Sequence, residues 1–111
     1  VTDKKGQGKD AAWKRRVLPR SSDFTRQFIK DWQRLNNSGR YDMVKLKEIM
    51  LLLIANEAPL PAQFRDHDLT GEWHDHRECH VGGDFLLIYK LDEKQNLLIF
   101  TRAGTHAELF R

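Results

Sequence analysis

The side chains best suited to proton transfer are concentrated in the second half of the chain. Histidine is the side chain that gains and loses a proton near neutral pH, and all five histidines follow residue 66. Several carboxylates and an arginine lie close to them in sequence. The histidines are His67, His74, His76, His80 and His106, and the charged residues considered with them are Asp66, Asp68, Asp75, Glu78, Asp84 and Arg102.

Such a set, without a serine or cysteine nucleophile signature, suits acid–base chemistry on a phosphodiester. The histidines would transfer protons, and an arginine would stabilise the charge that develops on the phosphorus centre. RNA supplies its own nucleophile, the 2′-hydroxyl group, so the reaction requires neither a protein nucleophile nor a metal ion. The sequence therefore favours a metal-independent reaction that uses no cofactor.

The spacing of four of these residues suggests how they meet. Glu78 and His80 are two residues apart in a stretch of period two, so both side chains lie on one face of a predicted strand. Asp84 follows a Gly-Gly turn signal and is placed to pair near them. His106 comes shortly after the end of the last predicted strand.

The elements that must position these residues follow the order β-α-α-β-β-β. Apolar residues at helical spacing predict two helices, and period-two or continuous apolar stretches predict the strands. The first helix starts after the caps Ser21 and Ser22, buries Phe24, Phe28, Trp32 and Leu35, and ends within residues 36–39, and the second helix is capped by Asp42. The predicted strands are residues 13–18, 73–81, 85–89 and 97–102. Residues 103–111 are predicted to form a loop and one helical turn. This order predicts an α+β sandwich, with two helices packed on one face of a mainly antiparallel sheet.

Length and composition predict one domain preceded by an extension. The chain has 111 residues, of which 40% are hydrophobic and 32% charged, values typical of a folded protein. Residues 1–12 lack apolar periodicity and are predicted to be a flexible basic extension of a single domain over residues 13–111. The longest apolar run, residues 49–55, is too short to cross a membrane, and no signal peptide is visible. The single cysteine, Cys79, excludes an intrachain disulfide and favours the cytoplasm.

The positive charge is concentrated near the start of the chain. Residues 1–20 contain seven lysines and arginines and two acids, whereas residues 21–111 contain 12 bases and 14 acids. An anionic partner is therefore expected to meet local patches. These are Lys14 to Arg16 in the first predicted strand and a stripe of Arg26, Lys30 and Arg34 on the first helix.

Other interpretations of the same residues remain open at this stage. His74, His76 and His80 have the alternation of a zinc site in an interaction domain, although His74 and His76 are more often simply solvated. Cys79 alternates onto the opposite face and is predicted to be a buried apolar side chain. Composition alone favours Phe110 as a core residue.

Five segments together resemble the YafQ branch of the RelE/ParE toxin superfamily. They are LPAQFRDH ending at His67, LTGEW ending at Trp73, RECHV ending at Val81, LIYKL ending at Leu91, and RAGTHAELF ending at Phe110. The resemblance covers roughly residues 13–111, and the set is more specific than any single segment. It implies a RelE-like sandwich.

The resemblance also implies a function. Toxins of this branch belong to bacterial toxin–antitoxin pairs and are metal-independent endoribonucleases that cut mRNA in the ribosomal A site. The partners implied are a cognate antitoxin, the ribosome and mRNA. The catalytic and substrate-contacting residues carried over are His67, His80, Asp84, Arg102, His106 and Phe110, with Glu78 where the family has aspartate and Phe85 where it has an indole.

Roles can be assigned to this set as hypotheses. His106 is the leading general acid, and His80, held by Glu78 or Asp84, is a candidate base with His67 as its rival. Arg102 would stabilise the phosphorane-like charge, and Phe110 would stack on a base. Lys14, Arg16, Arg26 and Lys30 would meet RNA. A ParE-like toxin that inhibits DNA gyrase is the rival within the superfamily, although a binder has no need of convergent acid–base groups.

Overall fold

The computed structural model describes residues 18–110, which form three helices and five strands. Two 3₁₀ turns, Ala62–Phe64 and Gly71–Trp73, lie between the second helix and the third strand. The elements in chain order are β1 (Ser21–Phe24), α1 (Arg26–Ser38), α2 (Met43–Ala55), β2 (His67–Asp68), β3 (Arg77–Gly82), β4 (Phe85–Asp92), β5 (Leu97–Gly104) and α3 (His106–Leu109).

The five strands form one sheet in the order β1-β5-β4-β3-β2. β1 pairs parallel with β5, and the other three pairs are antiparallel. The predicted α+β architecture with a mainly antiparallel sheet is therefore confirmed. The observed order, β-α-α-β-β-β-β-α, adds the short strand β2 to the predicted one, and the helical turn predicted within residues 103–111 is confirmed as α3.

The two long helices begin and end at recognisable capping residues. Thr25 Oγ1 accepts a hydrogen bond from the Phe28 backbone N–H at 2.9 Å, and Asp42 Oδ1 accepts one from Lys45 at 2.9 Å. Gly39 ends α1 in the left-handed conformation with φ of 71°, which costs glycine little. The predicted cap at Asp42 and the predicted end of the first helix are confirmed.

The prediction that the first helix starts at Ser21 or Ser22 is wrong. Residues Ser21–Phe24 are β1, and the cap of α1 is Thr25. The parallel pairing with Leu97–Phe100 draws this segment into the sheet, and the Phe24 ring stacks against the Phe100 ring at 5.8 Å. The predicted strand over residues 13–18 lies outside the described residues except for Leu18, which is not in a strand.

The predicted strand over residues 73–81 is too long at its start. Gly71 adopts φ of 70°, and the backbone N–H groups of His74 and His76 donate to the carbonyls of Gly71 and Trp73 at 3.1 and 2.8 Å. These bonds form turns, so β3 starts only at Arg77. Cys79 is fully buried, as its alternation predicted.

The two long helices, α1 and α2, cover one face of the sheet and leave the other partly open. The main core joins Phe28 and Leu35 of α1 and Leu46 and Ile49 of α2 to the helix-facing residues of β3, β4 and β5. The opposite face has a smaller apolar cluster of Leu86, Ile88 and Leu109, with Leu69 and Trp73 packed against it. None of the helices within residues 18–110 is long and apolar enough to cross a membrane.

Candidate active site on the open face of the sheet

Three of the five histidines form a row on the open face. The ring centroids of His67 and His80 are 6.2 Å apart, and those of His80 and His106 are 6.4 Å apart. They come from β2, β3 and α3, so the row forms only when three separate elements pack together. The structure therefore brings together the three histidines that the resemblance implies.

A buried carboxylate is shared by two members of the row. Glu78 is 3% exposed, and its Oε1 lies 3.3 Å from His67 Nε2 and 3.6 Å from His80 Nε2. Glu78 and His80 lie on one face of β3, as their spacing predicted, and Glu78 is the direct partner of His67 in the β2–β3 pairing. The carboxylate of Glu78 therefore lies between the two rings and is closer to His67 than to His80.

The backbone selects the tautomer of His67. Its Nδ1 lies 2.6 Å from the carbonyl oxygen of Arg65, and because a carbonyl can only accept, Nδ1 carries the proton. The other ring nitrogen, Nε2, is then the atom presented to Glu78 and to the open face.

His106 is held in a similar way by Asp84. Asp84 Oδ1 accepts from His106 Nδ1 at 2.9 Å and from the His106 backbone N–H at 3.1 Å. These two bonds lower the pKa of Asp84 below its ordinary value, and the bond from the His106 ring contributes more than the bond from the backbone. The carboxylate therefore stays ionised. His106 Nε2 is left for a substrate. The capping box of Thr105 and Glu108 fixes the start of α3, on which His106 is the first residue.

Arg102 does not join this row. Its Nε and Nη2 donate to the two carboxylate oxygens of Asp31 at 2.7 and 3.2 Å, and its side chain is 21% exposed. Asp31 lies on α1, is 2% exposed and also accepts from the Ala103 backbone N–H at 3.0 Å. Burial alone would raise the pKa of Asp31, but the bonds from Arg102 and Ala103 outweigh it and lower that pKa. Arg102 thus ties β5 to α1 through one edge of its guanidinium.

This ion pair predicts a pH-dependent contribution to stability. A carboxyl group whose pKa is lowered by folding stabilises the fold above its ordinary pKa of 3.8, and the contribution is lost as the pH falls through the lowered value. We expect Asp31→Asn to lower the free energy of unfolding at pH 7 by about 3 kcal/mol. Urea unfolding of both proteins at pH 7 and pH 3 measures the difference, which should shrink at pH 3; an unchanged difference would show that the charge of Asp31 is not its source.

Phe110 lies beside the histidine row and is not a core residue. It is 38% exposed, and its ring centroid is 5.6 Å from that of His106 and 6.3 Å from that of Trp73. The composition-based expectation of a core position is therefore wrong, and the exposed ring is available for stacking.

The remaining two histidines lie away from the row. His74 Nδ1 is 3.2 Å from the Gly71 carbonyl, and His76 is bonded to Asp75 at 2.7 Å and packs edge-on against Trp73. Because both precede the start of β3, they do not share a strand face with His80. Within residues 18–110, no group of three or more histidines, cysteines or acids is placed to hold a metal ion.

The predicted basic patches are only partly within the described chain. Lys14 and Arg16 lie outside residues 18–110. Arg26 and Lys30 are exposed on α1, whereas Arg34 is bonded to Glu108 at 2.7 Å and to Asp31 at 3.3 Å.

A groove beside His80 was not predicted from the sequence. It has a volume of about 350 Å³ and is lined by Lys45 and Arg65, besides residues 63–64 and 80–83. The two cations come from α2 and from the turn before β2, so no local pattern joins them. Asp31 was also missed, although it lies on the apolar side of α1 between Phe28 and Leu35.

The fold and the site together define a small α+β protein equipped for proton transfer on an exposed sheet face. The chain belongs to the YafQ family, since residues 20–111 match the model of the bacterial toxin YafQ of type II toxin–antitoxin systems. It is 47% identical over 94 residues to the mRNA interferase toxin YafQ of Escherichia coli K12. The aligned residues cover 85% of this chain and 99% of that protein. The predicted membership of the YafQ branch is confirmed.

Solved structures support the same family and fold. The E. coli DinJ–YafQ toxin–antitoxin complex matches with a TM-score of 0.75 and 47% identity, covering 85% of this chain and all of that chain. The metal-bound toxin from Helicobacter pylori matches with a TM-score of 0.72 and 36% identity, covering 81% and 98%. The name mRNA interferase of the E. coli relative agrees with the expected class, an endoribonuclease.

Proposed function

We propose that this toxin cleaves mRNA by acid–base catalysis and does so on the ribosome. The observation that carries the proposal is the row of His67, His80 and His106, in which ionised Asp84 holds one end and buried Glu78 the other. Such a row supplies a base and an acid at separate positions on an open surface. The relative named mRNA interferase supports RNA as the substrate.

In the proposed reaction the 2′-hydroxyl of one nucleotide attacks its own 3′-phosphate. His67 and His80, which share Glu78, provide the base that takes the 2′-hydroxyl proton, and Glu78 stabilises the imidazolium that forms. The bond from phosphorus to the 5′-oxygen of the next nucleotide breaks, and His106 protonates that oxygen through Nε2. The products are a 2′,3′-cyclic phosphate and a free 5′-hydroxyl, and no metal ion takes part.

Arg102 and Phe110 would bind the substrate in this reaction. Asp31 engages Nε and Nη2 of Arg102, so Nη1 is the nitrogen that would contact the developing phosphorane charge. Phe110 would stack on a base beside the scissile bond. The groove lined by Lys45 and Arg65 next to His80 would guide the backbone.

The charge of the domain explains why a ribosome would be needed. Affinity for free RNA grows with the number of phosphates that the protein neutralises, and residues 21–111 contain more acids than bases. Glu78 and Asp84 also repel a phosphodiester at the site itself. The ribosomal A site would hold the mRNA in register and supply the orientation that the domain lacks. A toxin with this role would act in the cytoplasm.

Cleavage of one transcript with and without translating ribosomes tests the proposed function. At physiological salt and equal enzyme concentration, we expect codon-phased cuts with ribosomes and weak or no cutting of naked mRNA. Mapping of 5′ ends identifies the cut sites. Equal rates in both arms would indicate a general ribonuclease, and growth arrest with DNA damage but without cuts would indicate the gyrase inhibitor.

We also propose that a cognate antitoxin, of the kind seen in the DinJ–YafQ complex, binds this toxin. An acidic segment of the antitoxin would cover the basic patch formed by Arg26 and Lys30, which are exposed on α1. Lys14 to Arg16 would form a second patch.

Reversal of these charges should weaken the complex. Arg26→Glu with Lys30→Glu, or reversal of Lys14 to Arg16, replaces attraction by repulsion, and we expect slower association with the antitoxin and a higher Kd in surface plasmon resonance. Arg40→Glu with Lys94→Glu changes the net charge by the same amount as the α1 pair and serves as its control. Unchanged affinity in both patch variants would exclude these surfaces.

A further inference from the structure

His67 lies on a strand that is too short to hold it by backbone pairing alone. β2 contains only His67 and Asp68, and it is the edge of the sheet, paired on one side with β3. An edge strand of two residues has few ladder hydrogen bonds and frays readily. Other contacts must therefore fix the position of His67 Nε2 relative to Glu78.

One guanidinium binds the residues on both sides of His67. Arg77 Nη2 donates to Asp66 Oδ2 at 2.9 Å, and Arg77 Nη1 donates to Asp68 Oδ1 at 2.6 Å. Because the guanidinium is planar and its two nitrogens are fixed relative to each other, it holds the two carboxylates at a set separation. These three residues, together with Tyr89 of β4, form what we call the Arg77 clamp.

The clamp is anchored in the centre of the sheet by Tyr89. The Tyr89 hydroxyl donates to Asp66 Oδ1, and Tyr89 is 1% exposed on β4, directly opposite Arg77 in the β3–β4 pairing. Burial and the bond to Asp66 raise the pKa of Tyr89, so the hydroxyl keeps its proton and remains a donor. The edge strand is thereby tied to a rigid strand two positions away.

The clamp and the histidine lie on opposite faces of the sheet. Tyr89 belongs to the helix-facing core, whereas the Nε2 atom of His67 meets Glu78 on the open face. Since neighbouring side chains of a strand alternate between faces, the clamp acts on His67 through the backbone and touches no substrate.

We infer that Arg77 and Tyr89 are positioning residues that set the location of the His67 imidazole for cleavage. The inference rests on the proposed catalytic role of His67, which the same experiment tests separately. Displacement of a catalytic group by about 1 Å can lower the reaction rate on the order of 10²-fold. Loss of one of the two bonds that anchor the clamp, from Tyr89 to Asp66 or from Arg77 to Asp68, is therefore expected to lower the cleavage rate about 10-fold.

Tyr89→Phe removes one hydroxyl from the clamp and keeps the buried ring. We expect it to lower single-turnover cleavage on ribosomes about 10-fold in the native chain, yet less than about 2-fold in a chain that already has His67→Ala. Asp68→Ala, at a side chain that is 79% exposed, should show the same dependence on His67 with little risk to folding. Tyr41→Phe, a tyrosine on the loop between the helices, is the matched control and should have no effect in either background.

The outcomes separate the inference from the proposed function. If His67→Ala alone cleaves as fast as the native chain, the proposed role of His67 fails. If His67→Ala is slow but Tyr89→Phe and Asp68→Ala have no effect, or have the same effect in both backgrounds, the positioning role of the clamp is overturned and the network serves stability alone.

Discussion

His106→Ala will lower the rate of mRNA cleavage on ribosomes by about 10²–10⁴-fold, the loss typical of a missing acid–base group. The variant removes the ring whose Nδ1 is held by Asp84 and whose Nε2 is proposed to protonate the leaving oxygen. His106 is more than half exposed, so its loss leaves the core intact. Single-turnover cleavage at saturating toxin measures the effect.

The two histidines outside the row, His74 and His76, provide the control for this prediction. His74→Ala and His76→Ala should change the rate little, since both lie in the turns before β3, and a chelator should leave the native rate unchanged. A loss at His74 as large as that at His106, together with inhibition by the chelator, would instead support the metal site formed by His74, His76 and His80.

Arg102→Ala is expected to lower cleavage by about 10²–10³-fold, the loss seen when one donor to a developing anion is removed. The same variant leaves Asp31 buried without its main partner, so it will also be less stable than the native chain. Rates must therefore be divided by the folded fraction, measured by urea unfolding under the assay conditions.

Asp31→Asn separates the two roles of Arg102. It weakens the same bridge between α1 and β5 but keeps the guanidinium, so its cleavage rate per folded molecule should stay within about 10-fold of the native rate. Losses of equal size in the two variants would mean that Arg102 acts on the fold and not on the phosphate.

Most of the core elements could be predicted because each carries its own periodic pattern. The middle of α1, all of α2 and the alternation that buries Cys79 follow from residues within the same segment. β1 could not be predicted in this way, because Ser21 and Ser22 resemble helix caps and only the pairing with Leu97 and Leu98 makes them a strand. β2 is too short to show any period.

For the candidate site, the sequence predicted which residues lie together better than it predicted which side chains bond to each other. Alternation placed Glu78 beside His80, and the resemblance added His67 and His106 from distant segments. The partner of Arg102 was not predicted, because the ion pair joins residues 71 positions apart. A signal for it was present, since an acid at the apolar spacing of Phe28 and Leu35 requires a buried partner.

The parallel pairing of β1 with β5 has a consequence for the toxin while it is being synthesised. A nascent chain that has reached only residue 96 contains β1, both long helices and β2 to β4, but it lacks the strand that occupies the position between β1 and β4. Contacts between residues so far apart in sequence form late and slowly. The same final segment carries Arg102 and His106, so a chain that stops before residue 97 lacks both the strand that joins β1 to β4 and the proposed acid, and we expect it to cleave no mRNA.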